Sequence, residues 1–309
     1  MRRKLISLAV AAAAMLALAG CGGGGGGDPL EGGGGSEESE SIVIGSANFP
    51  ENSLLGEIYA QALEAKDVKV ERKFNIGTRE AYIPALKDGS IDLLPEYTGN
   101  LLSYLKEGKS PGNNLDADKV YTDTKAALPD GVVLLDKSSA EDKDAVVVTA
   151  ATAQKYDLKS IEDIKPHQSK LILGGPPEWE TRYTGLKGLK ELYGVEFKSF
   201  RKLDTAGPIS VKALKDDKVQ AVNLFTTQSA IKQNDFVALE DPKSLFLAQN
   251  VTPLIDEAKA TDNVKETLNA VSAKLTTANL TDLVAQVEVD KKDAATVAKQ
   301  FLEDNDLVT

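Results

Sequence analysis

One histidine and one cysteine set the limits on chemistry in this 309-residue chain. His167 follows Pro166 in a polar stretch and reads as a solvated side chain. With the single imidazole read as solvated, Ser-His-Asp and Cys-His nucleophilic mechanisms are not expected. His-based metal sites are not expected either. Cys21 alone supports no disulfide framework, no CxxC redox pair and no thiolate zinc cluster. There is no P-loop, no GxSxG and no complete GxGxxG, so no cofactor is expected. Adjacent acids such as Glu37-Glu38 and Asp216-Asp217 have the chemistry of a glycosidase pair. In a chain with 47 acidic residues they read as solvated faces. Binding without catalysis is the expectation, and a hydrolase is the remote alternative.

Cys21 stands where chemistry of another kind is expected. Arg2, Arg3 and Lys4 precede an apolar run from Leu5 to Leu18, and Leu18-Ala19-Gly20 brings small residues up to the cysteine. That is the three-part layout of a secretory signal, and it is too short for a good spanning helix. The run resembles a bacterial lipobox, so residues 1–20 read as a signal peptide and Cys21 as the lipidated residue. The chain would then be extracytoplasmic, held at the outer leaflet of the cell membrane. Residues 21–41 carry Gly22 to Gly27, Gly32 to Gly35 and then Ser36-Glu37-Glu38-Ser39-Glu40. Such a stretch buries nothing and acts as a flexible tether.

The rest is an ordinary globule, 42% hydrophobic and 27% charged over the whole chain. Residues 1–20 hold three of the 36 basic residues and no acidic ones, which leaves 33 against 47 and a net charge of −14. Nucleic acid is therefore not an expected partner, nor is broad adsorption to anionic lipid.

Alternation of strand and helix patterns sets the frame. Ile42 to Gly45, Val68 to Phe74, Ile91 to Leu94, Val132 to Leu135, Ala145 to Val148, Leu171 to Leu173 and Val219 to Phe225 read as strands. Leu54 to Ala65, Thr78 to Leu86, Thr181 to Tyr193 and Ile209 to Leu214 read as helices, and helical segments follow Pro253. This predicts an α/β fold with mostly parallel sheets. Ligands are expected beyond the carboxyl ends of the strands, in the loops after Ile44, Phe74, Leu94, Val148, Leu173 and Phe225. Two lobes are expected: residues 42–144 with 252–309, and residues 145–251. Tyr59, Tyr104, Tyr156 and Tyr193 read as packing residues. Tyr97, between Pro95 and Gly99 in a strand-to-helix loop, reads as a ligand contact.

Four segments carry more specific signal. They are Gly45-Ser46-Ala47-Asn48-Phe49-Pro50-Glu51, Asn75-Ile76-Gly77-Thr78-Arg79, Ile91-Asp92-Leu93-Leu94-Pro95-Glu96-Tyr97-Thr98-Gly99, and Leu224-Phe225-Thr226-Thr227-Gln228-Ser229-Ala230-Ile231. Gly174 to Glu178 and Gln249 to Pro253 extend the pattern. In order and spacing they resemble the glycine betaine/choline/carnitine (osmoprotectant) binding lipoproteins of ABC importers. The resemblance implies a two-lobed periplasmic-binding-protein fold of type II, with two crossover strands and a cleft between the lobes. It implies a monomeric receptor that delivers a small solute to a permease driven by a cytoplasmic ATPase.

The family's ligand site is an aromatic cage, because a methylated cation has no N–H to donate and is drawn to ring faces. Carried over position by position, Tyr97 matches a cage tyrosine, and Phe225 keeps the ring without the hydroxyl. Asn100 replaces a usual Thr or Asp. Asp144 and Gln249 stand where tyrosines are expected. The cage thus reads as reduced to two of about four rings. Trp179, beside Arg182, is a candidate ring from the second lobe. Phe49, Thr78, Thr226 and Gln228 are further candidates in the matched segments. This set fits a quaternary ammonium solute such as glycine betaine or choline. It equally fits a larger polar, polyphenol-like ligand.

Overall fold

The computed structural model describes residues 41–308, apart from 108, 111 and 113–115. The expected signal segment, Cys21 and the tether up to residue 40 lie outside the described residues. Two five-stranded sheets organise the body.

The first sheet collects β1 (Ile42–Ala47), β2 (Val70–Gly77), β3 (Leu93–Tyr97) and β4 (Val132–Leu134). Between them run α1 (Pro50–Glu64), α2 (Arg79–Lys87), α3 (Thr98–Leu105) and α4 (Ala117–Ala127). The second sheet contains β5 (Asp144–Thr149), β6 (Ile172–Gly175), β7 (Ser199–Lys202), β8 (Ala221–Phe225) and β9 (Phe236–Ala238). Its helices are α5 (Ala150–Tyr156), α6 (Gly188–Tyr193), α7 (Pro208–Lys215) and α8 (Ser229–Gln233). The chain then returns as β10 (Val251–Asp256) into the first sheet and ends in α9 (Asp262–Lys274), α10 (Thr277–Glu288) and α11 (Ala294–Asp304). Strand order is β2-β1-β3-β10-β4 in one sheet and β7-β6-β8-β5-β9 in the other.

The central strands β3, β5, β8 and β10 are buried on both faces, which is why most of them read as apolar runs. In β5, Val146 and Val148 join one apolar cluster while Ala145 and Val147 join another. In the first sheet Leu93 and Ile255 pack toward α1 and the C-terminal helices, and Leu94 and Leu254 pack the other way. Each fully buried Leu or Ile contributes about 1.5–3 kcal/mol.

The sheets are mixed rather than mostly parallel. β1 pairs in parallel with β2 and β3, but β10 runs antiparallel to β3 and β4. In the second sheet β5 is the reversed strand, antiparallel to β8 and β9. The reason is topological: β5 and β10 are the strands that enter a sheet directly from the other one. The two crossovers touch at an isolated bridge between Glu141 and Asn250, and Asp142 N donates to Gln249 O at 3.2 Å. Reversal changes which loops face the cleft. The loop after Val148 does not; the start of β5 does, because Asp144 pairs with Phe225 at the end of β8.

The helix expected over Thr181 to Tyr193 is also broken. Residues Pro177–Glu180 form a 3-10 turn, and Gly185 has non-helical φ/ψ of −124° and −139° before α6 begins. A Cβ on Gly185 would lie 2.1 Å from the Trp179 carbonyl oxygen, so only glycine lets the chain fold back here. That turn holds Trp179 and Arg182 at the cleft.

Candidate functional site

The carboxyl ends of β1, β3, β6 and β8 and the amino end of β5 converge on one narrow cavity of about 40 Å³. Several short connections fix its walls. Pro50 opens α1 at its first turn, where a missing N–H costs nothing. Asn52 in that turn accepts from Ala47 N at 2.7 Å and donates to Pro95 O at 3.0 Å, tying β1 to β3. Gly99 lets the Pro95–Gly99 loop press on the returning chain, since a Cβ there would sit 2.6 Å from Ala248 O.

Of the residues singled out in the sequence, Phe49, Thr78, Tyr97, Asn100, Asp144, Trp179, Arg182 and Phe225 line this cavity. Thr226, Gln228 and Gln249 lie outside the lining. The Thr226 hydroxyl accepts from Lys143 N at 2.9 Å in the crossover. The Gln228 amide donates to Ala206 O and accepts from Phe225 N. Gln249, fully buried, accepts from Asn100 N at 2.8 Å and so acts on the site through Asn100.

More rings line the cavity than the position-by-position comparison implies. Phe49 stands between the sheets, 5.0 Å from the Phe225 ring and 6.0 Å from Tyr97. Trp179 stacks on Phe246 within the second sheet's core while also lining the cavity. Tyr82, a core-type helical residue by pattern, adds a fifth ring. Its hydroxyl donates to Glu96.

Charge is arranged in two layers. Buried Arg79 pairs with fully buried Glu96, Nε to Oε1 at 2.9 Å. Arg182 reaches across to Glu80 with two hydrogen bonds, at 3.0 and 2.7 Å. Partial burial would raise Glu80, but the Arg182 guanidinium outweighs it and holds the carboxyl at about 2. Both guanidiniums thus have carboxylate partners. Asp142 and Asp144, at 4% and 5% exposure, have no Lys or Arg ion pair among the described residues. Burial pushes Asp144 upward, while the amides of Asn100 and Asn223 and the charges of Arg79 and Arg182 oppose it. Burial, and Glu51 nearby, raise Asp142 well above its ordinary value. Thr227 Oγ bridges Glu51 and Asp142 at 2.7 and 2.9 Å.

Asp142, Arg79, Tyr82 and Asn223 were missed in the sequence. Asn223 had a visible signal: it is a polar residue inside the apolar run Ala221 to Phe225. Arg79 and Tyr82 lie in a helix with no mark of a site, and Asp142 is one of 47 acidic residues.

Residues 40–304 match the family described as the substrate binding domain of ABC-type glycine betaine transport system. The chain is 28% identical over 273 residues to the ergothioneine transport permease/ergothioneine binding protein EgtU of Helicobacter pylori (strain G27), covering 86% of this chain but 48% of that protein. It is 25% identical to the glycine betaine-binding protein YehZ of Escherichia coli (strain K12), covering 84% of this chain and 89% of the other. Among solved structures, a glycine betaine/carnitine/choline ABC transporter protein superposes with a TM-score of 0.66 at 23% identity, over 86% of this chain and 99% of that one. Lactococcal OpuAC, closed on glycine betaine, superposes at 0.60 and 15% identity, over 86% of this chain and 96% of that one. These likenesses carry the two-lobed fold. A family match that runs from the approach to β1 to the end of α11, on this fold, means that the chain belongs to the substrate-binding domains of ABC-type glycine betaine transport systems: it holds a solute and does no chemistry on it.

Proposed function

We propose that the cleft binds a betaine-type zwitterion, a small molecule joining a methylated ammonium to a carboxylate, and passes it to a membrane permease. The observation that carries this reading is buried Asp144, without a Lys or Arg ion pair among the described residues and set among ring faces. A methylated cation has no N–H, so rings and nearby carboxylates are the groups that attract it. Arg182, 20% exposed in its side chain and paired with Glu80, lines the cavity and is the less buried of its two guanidiniums, so the ligand's carboxylate would share it with Glu80. Glycine betaine, carnitine and ergothioneine, named for the relatives, share these two groups.

Titration with glycine betaine, carnitine, choline and ergothioneine, followed through the fluorescence of the sole tryptophan, Trp179, tests the reading. A bound ligand at 100 times its Kd stabilises by about 2.7 kcal/mol, which a thermal shift detects. Tyr97→Ala is expected to weaken binding roughly tenfold, the effect of about 1.4 kcal/mol of lost ring contact. If no methylated ammonium binds below millimolar and a polyhydroxylated aromatic does, the larger polar ligand replaces this proposal.

We further infer that residues 1–20 are removed and that Cys21 carries a lipid, so that a monomeric receptor works at the outer face of the membrane. The basic start, the apolar run and the lone cysteine support this. Wild-type protein is expected in the detergent phase of a Triton X-114 partition, and Cys21→Ala protein in the aqueous phase. Equal partitioning of the two would remove the anchor.

A further inference from the structure

Asn100 and Asn223 meet at Asp144. Asn100 Nδ2 donates to Asp144 Oδ2 and Asn223 Nδ2 to Asp144 Oδ1, both at 2.8 Å. The carboxylate thereby fixes which way each amide is turned, with nitrogen toward the acid and oxygen away from it. The two amide oxygens, Asn100 Oδ1 and Asn223 Oδ1, are buried and accept no hydrogen bond. All three side chains line the cleft, and Asn223 and Asp144 are 0% and 5% exposed. Buried amide oxygens are nearly always paired, so two unpaired ones beside the same acid in a ligand cleft need an explanation.

A fully methylated ammonium does not supply it. It satisfies rings and charge but has no hydrogen to give. An N–H or O–H elsewhere on the ligand would satisfy one of these oxygens, and a group with two donor hydrogens could satisfy both. We propose that Asn100, Asp144 and Asn223 form a donor-reading subsite, so that the preferred ligand carries an N–H or O–H group in addition to its methylated ammonium. This rests on the betaine reading of the cleft and narrows it to betaines or cholines that bear a hydrogen-bond donor. The rings select the methylated end, and the three polar side chains select the other. Sites that hydrogen-bond a ligand hydroxyl reject the analogue lacking it, because their own buried groups are then left bare.

Ligand pairs that differ by one donor test this directly: carnitine against γ-butyrobetaine, and choline against its O-methyl ether, by isothermal titration of the purified protein. The donor-bearing member of at least one pair is expected to bind roughly ten- to a hundredfold more tightly. In Asn223→Leu, and separately in Asn100→Leu, that preference should fall below about threefold. The ratio within a pair is the readout, because general damage to the cleft weakens both members alike. Thermal melts confirm that each variant is folded. Equal affinities within both pairs overturn the subsite while leaving the betaine reading intact, as does a preference that survives both substitutions. If none of the four binds, a set of neutral polyols and N–H heterocycles is titrated next. Binding there that Asn223→Leu abolishes keeps the subsite and removes the ammonium reading. No binding by any donor-bearing probe overturns the subsite.

Discussion

Replacing Glu96 with leucine is expected to destabilise the protein by about 3–5 kcal/mol, the cost of removing one partner from a buried ion pair. Glu96 is fully buried in β3, and Arg79, at the first position of α2, is 8% exposed. Arg79 Nη2 donates to Glu96 Oε2 at 3.0 Å, and the backbone N–H of Tyr97 donates to the same oxygen at 2.9 Å. Tyr82 adds its hydroxyl. Glu96→Leu strands a buried guanidinium, a phenol and a backbone N–H together. At about 2–4 °C per kcal/mol for a body of this size, the melting temperature should fall by roughly 6–20 °C. The double replacement Arg79→Met with Glu96→Leu should recover much of the loss, because it removes both charges and leaves an apolar fill. Urea unfolding followed by far-UV circular dichroism measures both. A single variant within about 1 kcal/mol of wild type would mean that Arg79 finds water or another acid, and the buried pair would not hold the cleft wall.

Glu51→Gln should do the opposite at neutral pH. Glu51, in the first turn of α1, is buried with Tyr97 Oη donating to its Oε1 at 2.8 Å. The single hydroxyl hydrogen of Thr227 faces Glu51 and Asp142 together. One hydrogen serves one acceptor, so two carboxylates there would leave lone pairs opposed, and the pair is best satisfied by holding a proton. Burial pushes Glu51 up from 4.5 to about 7, against the hydrogen bonds from Thr227 and Tyr97; Glu288 adds repulsion. The sign follows from linkage. Between about pH 4.5 and 7 the folded protein holds a proton that the unfolded chain has lost, so stability falls as pH rises through that window. Above about 7 the loss is complete. A neutral glutamine escapes it. Glu51→Gln should therefore match wild type near pH 4.5 and exceed it by up to about 3 kcal/mol at pH 8, since each pH unit between the unfolded and folded values is worth about 1.36 kcal/mol. The measurement is the difference in unfolding free energy between the two proteins across about pH 4.5–8. A difference independent of pH would show that the pair is not protonated in the folded state. Glu51 opens α1 beside the first sheet and Thr227 follows β8 of the second, so the same proton sits where the two halves meet.

Much of this architecture was readable from residue pattern. The strand runs at Ile42, Ile91, Ala145, Leu171 and Val219 each found a strand, because residues buried on both faces leave an unbroken apolar signature, and the run at Val68 found one through its alternation of apolar and charged residues. β7 and β9 left no such trace: Ser199–Lys202 is largely polar and exposed, and Phe236–Ala238 is three residues long. The Pro95–Gly99 block pointed to the site through local chemistry, a proline and a glycine bracketing a tyrosine where a strand gives way to a helix.

Tyr97 and Phe225 were legible because each ends a strand that the sequence itself marks. Asp144 was legible only through family resemblance. The fold explains its position: β5 enters from the other sheet and runs backwards, so its first residue lies where its neighbours end. Asp142 and Glu51 became a proton-sharing pair through Thr227. Asn100 and Asn223 became partners of one acid from 44 and 79 positions away along the chain. Periodicity reports which face of an element is buried, but it carries no information on strand direction or on which distant side chain will stand opposite. Composition and spacing gave the expectation of binding rather than catalysis and marked most of the strands. The tertiary structure decided which acids lack a basic partner and which amide oxygens are left waiting for a donor, because both depend on contacts between residues far apart in the chain.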